Sequence, residues 1–204
     1  MKIKEIKNSK KNFFDVTFES GESIVLSAES VVKFSLKENP SISEEKYREI
    51  IDYDNSLKAL DFSLSLLSKK PIGAQELGNK LAAKEYDAKT IDAAVGRMKD
   101  LGYIDDKKYG EDLADYLLAQ DKGLNFIVNE MERRGINKET VNEIAAKIKE
   151  KANSSARLDE ITARKFKAAD FKDEKTKAKI ASYFERQGFD FDDIEKALNR
   201  AEQK

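Results

Sequence analysis

The feature that most constrains this fold is a pattern that occurs three times along the chain. The segments 76–91, 126–141 and 179–194 align without gaps and have apolar residues at the same three positions. These positions are occupied by Leu77, Leu81 and Ile91, by Ile127, Met131 and Val141, and by Ile180, Phe184 and Ile194. Self-similarity with a period of about 20 to 50 residues is typical of repeat architectures. The pattern therefore predicts three tandem units with one local structure.

A helix end is predicted between the second and third apolar positions of each segment. Gly135 and Gly188 stand where glycine readily adopts the left-handed backbone that ends a helix. Glu85 takes this position in the first segment, and its side chain should cost some helix-end stability there. The residues predicted to cap the next helix, two positions further on, are Asp87, Asn137 and Asp190.

A third helix precedes each segment. Apolar residues three or four positions apart predict helices over 57–68, 107–119 and 155–168. One unit of three short helices is too small to bury a full core, so neighbouring units are expected to share packing. The predicted fold is mainly α, with tandem three-helix repeats in an elongated or curved array.

The N-terminal part of the chain has a different pattern. Phe13–Phe18 and residues 23–26 are rich in aromatic and β-branched residues, and Gly21 lies in the turn between them. This pattern predicts a small β segment built on a hairpin, to which residues 2–7 would add a third strand. Ser43 and the two acidic residues after it predict the start of a linking helix. The expected division is 1–56 for the β segment and linking helix, then 57–106, 107–153 and 154–204 for the three repeats.

The composition narrows the classes of function. Lys and Arg total 38 and Asp and Glu total 39, which gives a formal net charge of -1. A protein that coats DNA would usually be basic. The chain has no Cys and no His, which excludes disulfides, thiolate metal sites and a histidine general base. We therefore expect no catalytic residue, no cofactor and no bound metal.

The N-terminus is charged and has no apolar run behind it, and the chain has no apolar stretch of about 18 residues. These features predict a cytoplasmic protein that does not associate with a membrane.

Three motifs, taken in their order and spacing, resemble those of the bacterial RecX regulatory family. They are Ala74-x-Glu76-Leu77-x3-Leu81, Leu101-Gly102-Tyr103-Ile104-Asp105-Asp106-x2-Tyr109 and Met131-x3-Gly135-Ile136. The resemblance covers roughly residues 57–200, and residues 1–56 resemble the β-containing extension of some family members. It implies a regulator that binds the RecA filament on single-stranded DNA and modulates its assembly, strand exchange and ATPase, usually as an inhibitor, in recombination and DNA repair. Some family members also bind DNA, so weak direct DNA binding is a further expectation, and we expect a monomer.

Nine basic residues are candidates for contacts with the filament, since long cationic side chains suit phosphates and acidic loops. The candidates are Lys69, Lys70, Arg97, Lys107, Lys108, Arg133, Arg134, Arg164 and Lys165. The alternative is that they form solvated helix surface. The pair Asp105 and Asp106 allows a Mg²⁺ site. The helical pattern that follows favours Asp106 as the cap of a helix beginning near Lys107, with Asp105 solvated.

Two other functions are compatible with the sequence. A stand-alone helical DNA-binding protein would need a basic recognition helix and a steep salt dependence. An unrelated helical interaction scaffold would fit the repeats equally well.

Overall fold

The computed structural model describes residues 1–203, which contain three strands and ten helices. The mainly helical fold with a small N-terminal sheet is confirmed. The strands are β1 (Ile3–Lys10), β2 (Phe13–Phe18) and β3 (Ser23–Ser27). The helices are α1 (Ala28–Lys33), α2 (Glu44–Leu67), α3 (Ala74–Ala82), α4 (Ala88–Asp100), α5 (Asp106–Ala119), α6 (Leu124–Arg133), α7 (Lys138–Ala152), α8 (Ser155–Lys165), α9 (Glu174–Arg186) and α10 (Phe191–Glu202).

The described chain forms two compact units. The first comprises Met1–Pro71 and Leu77–Tyr103. The second comprises Ile72–Glu76 and the described chain from Ile104 onward, so the first residues of α3 belong to it.

The sheet of the first unit is antiparallel, with the strand order β1-β2-β3. Alternate residues of its strands point to one face, as the period of two in a strand requires. The side chains buried on that face, together with one from α2, are Ile3, Val16, Phe18, Leu26 and Ile50. The predicted hairpin and its third strand are therefore confirmed.

Helix α2 runs without a break from Glu44 to Leu67, because this segment contains no glycine or proline to interrupt it. The predicted linking helix and the helix predicted over 57–68 are thus one helix. Asp54 lies buried on α2 and accepts hydrogen bonds from the Ser27 N–H (2.7 Å) and the Ser30 hydroxyl (2.7 Å). Its other oxygen lies 2.6 Å from Lys58 Nζ. Asp54 therefore ties the junction of β3 and α1 to α2.

Burial alone would raise the pKa of Asp54. The hydrogen bonds from Lys58, the Ser27 N–H and the Ser30 hydroxyl outweigh this effect and lower the pKa below its ordinary value. The carboxylate is therefore held in its charged form.

In the second unit, helices α5, α6 and α7, here called the second repeat, enclose one apolar core that includes Leu113, Ile127, Met131 and Ile144. Three ion pairs join α5 to α7 at a constant sequence offset, so the two helices run parallel. Their N···O distances are 2.6 Å for Lys107–Glu143, 2.8 Å for Glu111–Lys147 and 3.7 Å for Asp115–Lys151.

Helices α8, α9 and α10, here called the third repeat, enclose a separate core. It contains Leu158, Ile180, Phe184 and Ile194, with Phe189 in edge-to-face contact with Phe184. The apolar positions that the aligned segments predict are therefore core positions in both repeats.

The predicted helix ends are confirmed. Gly135 and Gly188 have φ values of 76° and 87°, and Glu85 adopts the same left-handed backbone with φ of 63°. Asp87 and Asn137 cap the following helices by accepting hydrogen bonds from backbone N–H groups. Asp190 is also at an N-cap position, but its side chain makes no capping hydrogen bond because it binds elsewhere, as described below.

Among the helices of residues 1–203, none combines the length and the apolar character needed to cross a membrane.

Candidate functional site

The start of α3 meets the turn at Gly135 within the second unit. The Ala74 N–H donates a hydrogen bond of 2.8 Å to Asp106 Oδ1, which caps α3 from a distant part of the sequence. A Cβ atom on Gly135 would overlap the side chain of Gln75. This close approach therefore requires glycine both for its left-handed backbone and for its missing side chain.

The start of α6 meets the turn at Gly188 in the same way. The Gly123 N–H donates to the Gln187 carbonyl (2.7 Å) and the Asn125 N–H donates to the Gly188 carbonyl (3.1 Å). A Cβ atom on Gly188 would overlap the backbone nitrogen of Phe126. The same contact, in which the start of one helix packs on a left-handed glycine turn, therefore occurs twice. The contact at Gly188 joins the second repeat to the third.

Polar side chains surround this joint between the second and third repeats. Arg157 donates to the carbonyls of Leu118 (2.8 Å), Lys122 (2.9 Å) and Ala152 (2.6 Å). Asp190 accepts from the side-chain amides of Asn125 (2.8 Å) and Asn153 (2.9 Å), which explains why it does not cap α10. The Arg157 bonds satisfy part-buried backbone carbonyls, whereas the bonds to Asp190 lie at the exposed edge of the joint.

Arg164 and Lys165 belong to the same joint. Both bind Asp121, at N···O distances of 2.6 Å and 3.1 Å. Burial by itself raises the pKa of Asp121, but the hydrogen bonds from Lys165 and Arg164 outweigh it and lower the pKa. These two candidate residues therefore hold α8 to the end of α5.

Arg133 and Arg134 converge on Glu130, at 2.7 Å and 2.8 Å. Arg134 also donates to the phenol oxygen of Tyr109 (2.7 Å). The bidentate hydrogen bonds from Arg133, supported by Arg134, hold the pKa of Glu130 at about 2 despite the opposing effect of burial. Lys107 is paired with Glu143 in the α5–α7 ladder.

The other candidates are exposed. Lys69 and Lys70 follow α2 and Arg97 lies on α4, all in the first unit, whereas Lys108 lies in the first turn of α5 in the second unit. Lys69, Arg97 and Lys108 have no ion pair with another described residue. The nine candidates thus separate into five that are neutralised by nearby carboxylates and a smaller group that presents charge to solvent.

The two aspartates after Ile104 both serve as helix caps. Asp105, rather than Asp106, caps α5 by accepting a hydrogen bond of 2.9 Å from the Lys108 N–H. Asp106 instead caps α3, because its carboxylate reaches Ala74. Among residues 1–203, no group of three or more Asp and Glu side chains could hold a metal ion.

Sequence reasoning missed a row of cations on α9. Lys175, Lys179 and Arg186 are exposed and lie four and seven residues apart, which places them on one face of the helix. This spacing is visible in the sequence, since a helix ending at Gly188 is predicted there. The basic residues Arg164 and Lys165, in the preceding helix α8, stand next to each other in the sequence, and the prediction therefore included them and not the residues of α9.

The chain matches no family model. It is similar to the regulatory protein RecX of Caldanaerobacter subterraneus subsp. tengcongensis, with 24% identity over 194 residues that cover 95% of this chain and 96% of that protein. It is also 26% identical to the regulatory protein RecX of Clostridioides difficile over 179 residues, which cover 87% of this chain and 84% of that protein.

Among solved structures, the crystal structure of a regulatory protein RecX superimposes with a TM-score of 0.67 at 15% identity, over 97% of this chain and 98% of that chain. This likeness shows the shared fold. The sequence matches extend over nearly the whole length of named relatives, and they agree with the three motifs that carry the resemblance. Together, the sequence and structure comparisons support the RecX family of regulatory proteins as the family that this chain resembles over nearly its whole length.

Proposed function

We propose that this protein binds the RecA nucleoprotein filament on single-stranded DNA and inhibits its assembly, strand exchange and ATP hydrolysis without being an enzyme. The observation that carries the proposal is the match to proteins named regulatory protein RecX over nearly the full length of this chain. The proposed site of action is the cytoplasm, and the proposed active form is a monomer.

The proposed mechanism is physical obstruction. The repeats would lie along the filament groove and contact successive RecA subunits, which would impede subunit addition and slow ATP turnover. In the second unit the second and third repeats each have their own apolar core and are joined through a glycine turn, so each can present its own surface. Linked weak contacts gain affinity because each later contact forms at a high effective concentration.

The proposed contact residues are the nine cations that the sequence indicates. Lys69, Arg97 and Lys108 are the members of this set best suited to bind a partner, because they present charge without an ion pair to another described residue. The five paired members would have to exchange an existing carboxylate for one on the partner, which yields little net free energy.

The test is RecA ATP hydrolysis on single-stranded DNA at increasing concentrations of the purified protein. We expect hydrolysis to fall as the protein approaches stoichiometric amounts. The variant Lys69→Gln/Arg97→Gln/Lys108→Gln should raise the half-inhibitory concentration about tenfold, since three exposed charges at about 0.5 kcal/mol each amount to about 1.5 kcal/mol.

A matched control removes three other exposed lysines, as Lys37→Gln/Lys89→Gln/Lys138→Gln, and should change the half-inhibitory concentration less than about twofold. Unchanged ATP hydrolysis and strand exchange at stoichiometric wild-type protein would overturn the proposed function. Equal effects of the two triple variants would overturn the assignment of the contact residues.

A further inference from the structure

The third repeat contains an apolar pocket between α8 and α10, with a volume of about 210 Å³. Its walls come from these two helices and from the chain that follows α8, and they include Thr162, Ala163, Phe166, Phe171, Ala197 and Ala201. A cavity of about 150 Å³ with apolar walls is large enough to bind benzene. The pocket can therefore hold one aromatic ring.

An ion pair shows which positions of the second and third repeats correspond. Glu111 on α5 pairs with Lys147 on α7, and Asp159 on α8 pairs with Arg200 on α10, each at an N···O distance of 2.8 Å. Lys147 and Arg200 also occupy the same position relative to the last two aligned segments. Helices α8 and α10 therefore stand in the third repeat where α5 and α7 stand in the second.

Two isoleucines of the second repeat are alanines in the third. By this alignment Ala197 corresponds to Ile144, and Ala201 corresponds to Ile148. Ile144 is buried in the core of the second repeat, and Ile148 packs against that core. The shorter side chains on α10 leave space beside α8. The pocket is therefore particular to the third repeat and is not required by the repeat fold.

The connection between α8 and α9 adds to the rim of the pocket. It consists of residues 166–173, whereas residues 120–123 make the equivalent connection in the second repeat. The longer connection carries Phe171, which packs against the core of the third repeat, and Lys167, which is exposed and lines the same pocket. The third repeat thus gains an aromatic wall and a cation at the place where its helix has lost bulk.

The polar groups of the pocket wall differ in whether they are engaged. The Thr162 hydroxyl donates to the Leu158 carbonyl (2.7 Å). Asp159 accepts hydrogen bonds from Nη2 (2.8 Å) and Nε (2.9 Å) of Arg200. Lys167, in contrast, forms no ion pair with another described residue. The pocket therefore offers apolar walls and one available positive charge at its edge.

The pocket is open on one side, because Ala163 and Lys167 are both exposed. Sites for small molecules usually enclose about 70–90% of the surface of the ligand. An open pocket of this size suits a single side chain whose backbone stays outside. Aromatic side chains that insert into such pockets supply much of the binding free energy at protein interfaces.

We propose that this pocket binds an aromatic side chain of the partner protein, from a segment in which a carboxylate lies next to the ring. The ring fills the space between α8 and α10, and the carboxylate pairs with Lys167. The inference rests on the proposed function in that the partner is the RecA filament. Recognition of the ring and the carboxylate does not need RecA and is measured separately.

The probe is N-acetyltryptophan, which combines an indole ring with one carboxylate. Its binding is followed by NMR on the full chain, labelled with ¹³C at the alanine methyl groups. We expect the methyl signals of Ala163, Ala197 and Ala201 to shift, because an aromatic ring displaces the signals of the groups that it contacts. The signal of Ala152, in the core of the second repeat, should stay in place.

The variant Ala201→Ile restores the residue of the second repeat and should weaken binding of the probe at least tenfold. The matched control, Ala178→Ile, adds the same side chain at an exposed position of α9 outside the pocket and should change the dissociation constant less than about twofold. Lys167→Gln should weaken binding of N-acetyltryptophan about twofold, since exposed ion pairs contribute little. It should not change binding of N-acetyltryptophanamide, which lacks the carboxylate.

RecA ATP hydrolysis on single-stranded DNA then identifies the source of the ring. Ala201→Ile should raise the half-inhibitory concentration at least fivefold, and Ala178→Ile should raise it less than about twofold. Thermal unfolding monitored by circular dichroism shows whether both isoleucine variants are folded. Lys167→Gln, at an exposed position, tests the pocket without a change in the core.

Absence of methyl shifts in the wild-type protein would overturn the pocket as a binding site, and so would equal weakening by the two isoleucine variants. If the probe binds but Ala201→Ile inhibits RecA as the wild type does, the pocket belongs to a small molecule and the partner side chain is overturned as its occupant. Inhibition of RecA without binding of the probe would refute the pocket and leave the proposed function intact. Binding of the probe by a wild-type protein that has no effect on RecA would overturn the proposed function and the assigned partner.

Discussion

The joint between the second and third repeats predicts a large effect of the single substitution Gly188→Ala. Gly188 has φ of 87°, and alanine at a left-handed position costs about 1 kcal/mol. The new Cβ would also overlap the backbone of Phe126, which forces the start of α6 away from the turn. That movement breaks the hydrogen bonds from Gly123 and Asn125, at about 1 kcal/mol each. The expected total loss in the free energy of unfolding is about 3 kcal/mol.

Gly102 provides the matched control, because its φ is 72° and a Cβ atom there would meet nothing within 4 Å. Gly102→Ala should therefore show the backbone cost alone, about 1 kcal/mol. Urea unfolding measures both losses. Amide hydrogen exchange at Gly123 and Asn125 reports the joint directly and should accelerate only in Gly188→Ala. Equal losses for the two variants, with unchanged exchange at these amides, would refute the seating of α6 on the glycine turn.

Two buried or half-buried carboxylates give further predictions. Glu130→Gln should lower the free energy of unfolding at pH 7 by about 1 to 2 kcal/mol, as measured by urea unfolding. This value takes into account that solvent screens the ion pair with the exposed Arg133. Since the folded pKa of about 2 lies below the ordinary value of 4.5, this contribution is fully present above pH 4.5 and is lost as the pH falls through 2, below which the variant should match the wild type. Asp54→Ala should cost about 2 to 4 kcal/mol in thermal unfolding, because the Ser27 N–H and the Ser30 hydroxyl lose their acceptor and Lys58, which still donates to the Val25 carbonyl, loses its ion pair. Asp52→Ala, at an exposed position of the same helix, should stay within about 0.5 kcal/mol, and a similar loss in both variants would contradict the role of Asp54.

The local elements could be predicted because their signals are local. The left-handed turns at Gly135 and Gly188, and the caps at Asp87 and Asn137, depend on residues only a few positions apart. The aromatic and β-branched residues on either side of the turn at Gly21 likewise indicated the strands of the N-terminal segment. The same reasoning failed at Asp106, whose capping partner Ala74 lies 32 residues away in sequence. A capping residue can be recognised from the sequence, but the helix that it caps is a matter of tertiary structure.

For the candidate contact residues too, the sequence shows which residues are charged but not which of them are neutralised in the fold. Arg164 and Lys165 form the densest basic run near the third repeat, yet they bind Asp121, more than forty residues earlier in the sequence. The cations Lys175, Lys179 and Arg186 of α9 are less dense in the sequence, but they share one face of the helix and have no ion pair with another described residue. Local charge density therefore does not indicate available charge, because neutralisation depends on residues that only the fold brings together.

The residue at the left-handed turn after a helix determines whether the start of another helix can pack against that turn. Gly135 and Gly188 each lie beneath the start of another helix, where a Cβ atom would overlap the chain. Glu85 has the same left-handed backbone but carries an exposed side chain on it. A helix start of the α6 type could not approach Glu85 closely enough to form the hydrogen bonds that the Gln187 and Gly188 carbonyls accept. Glycine lowers the cost of the left-handed backbone, but Glu85 ends its helix without it, so the docking of a second helix is what excludes a side chain at Gly135 and Gly188.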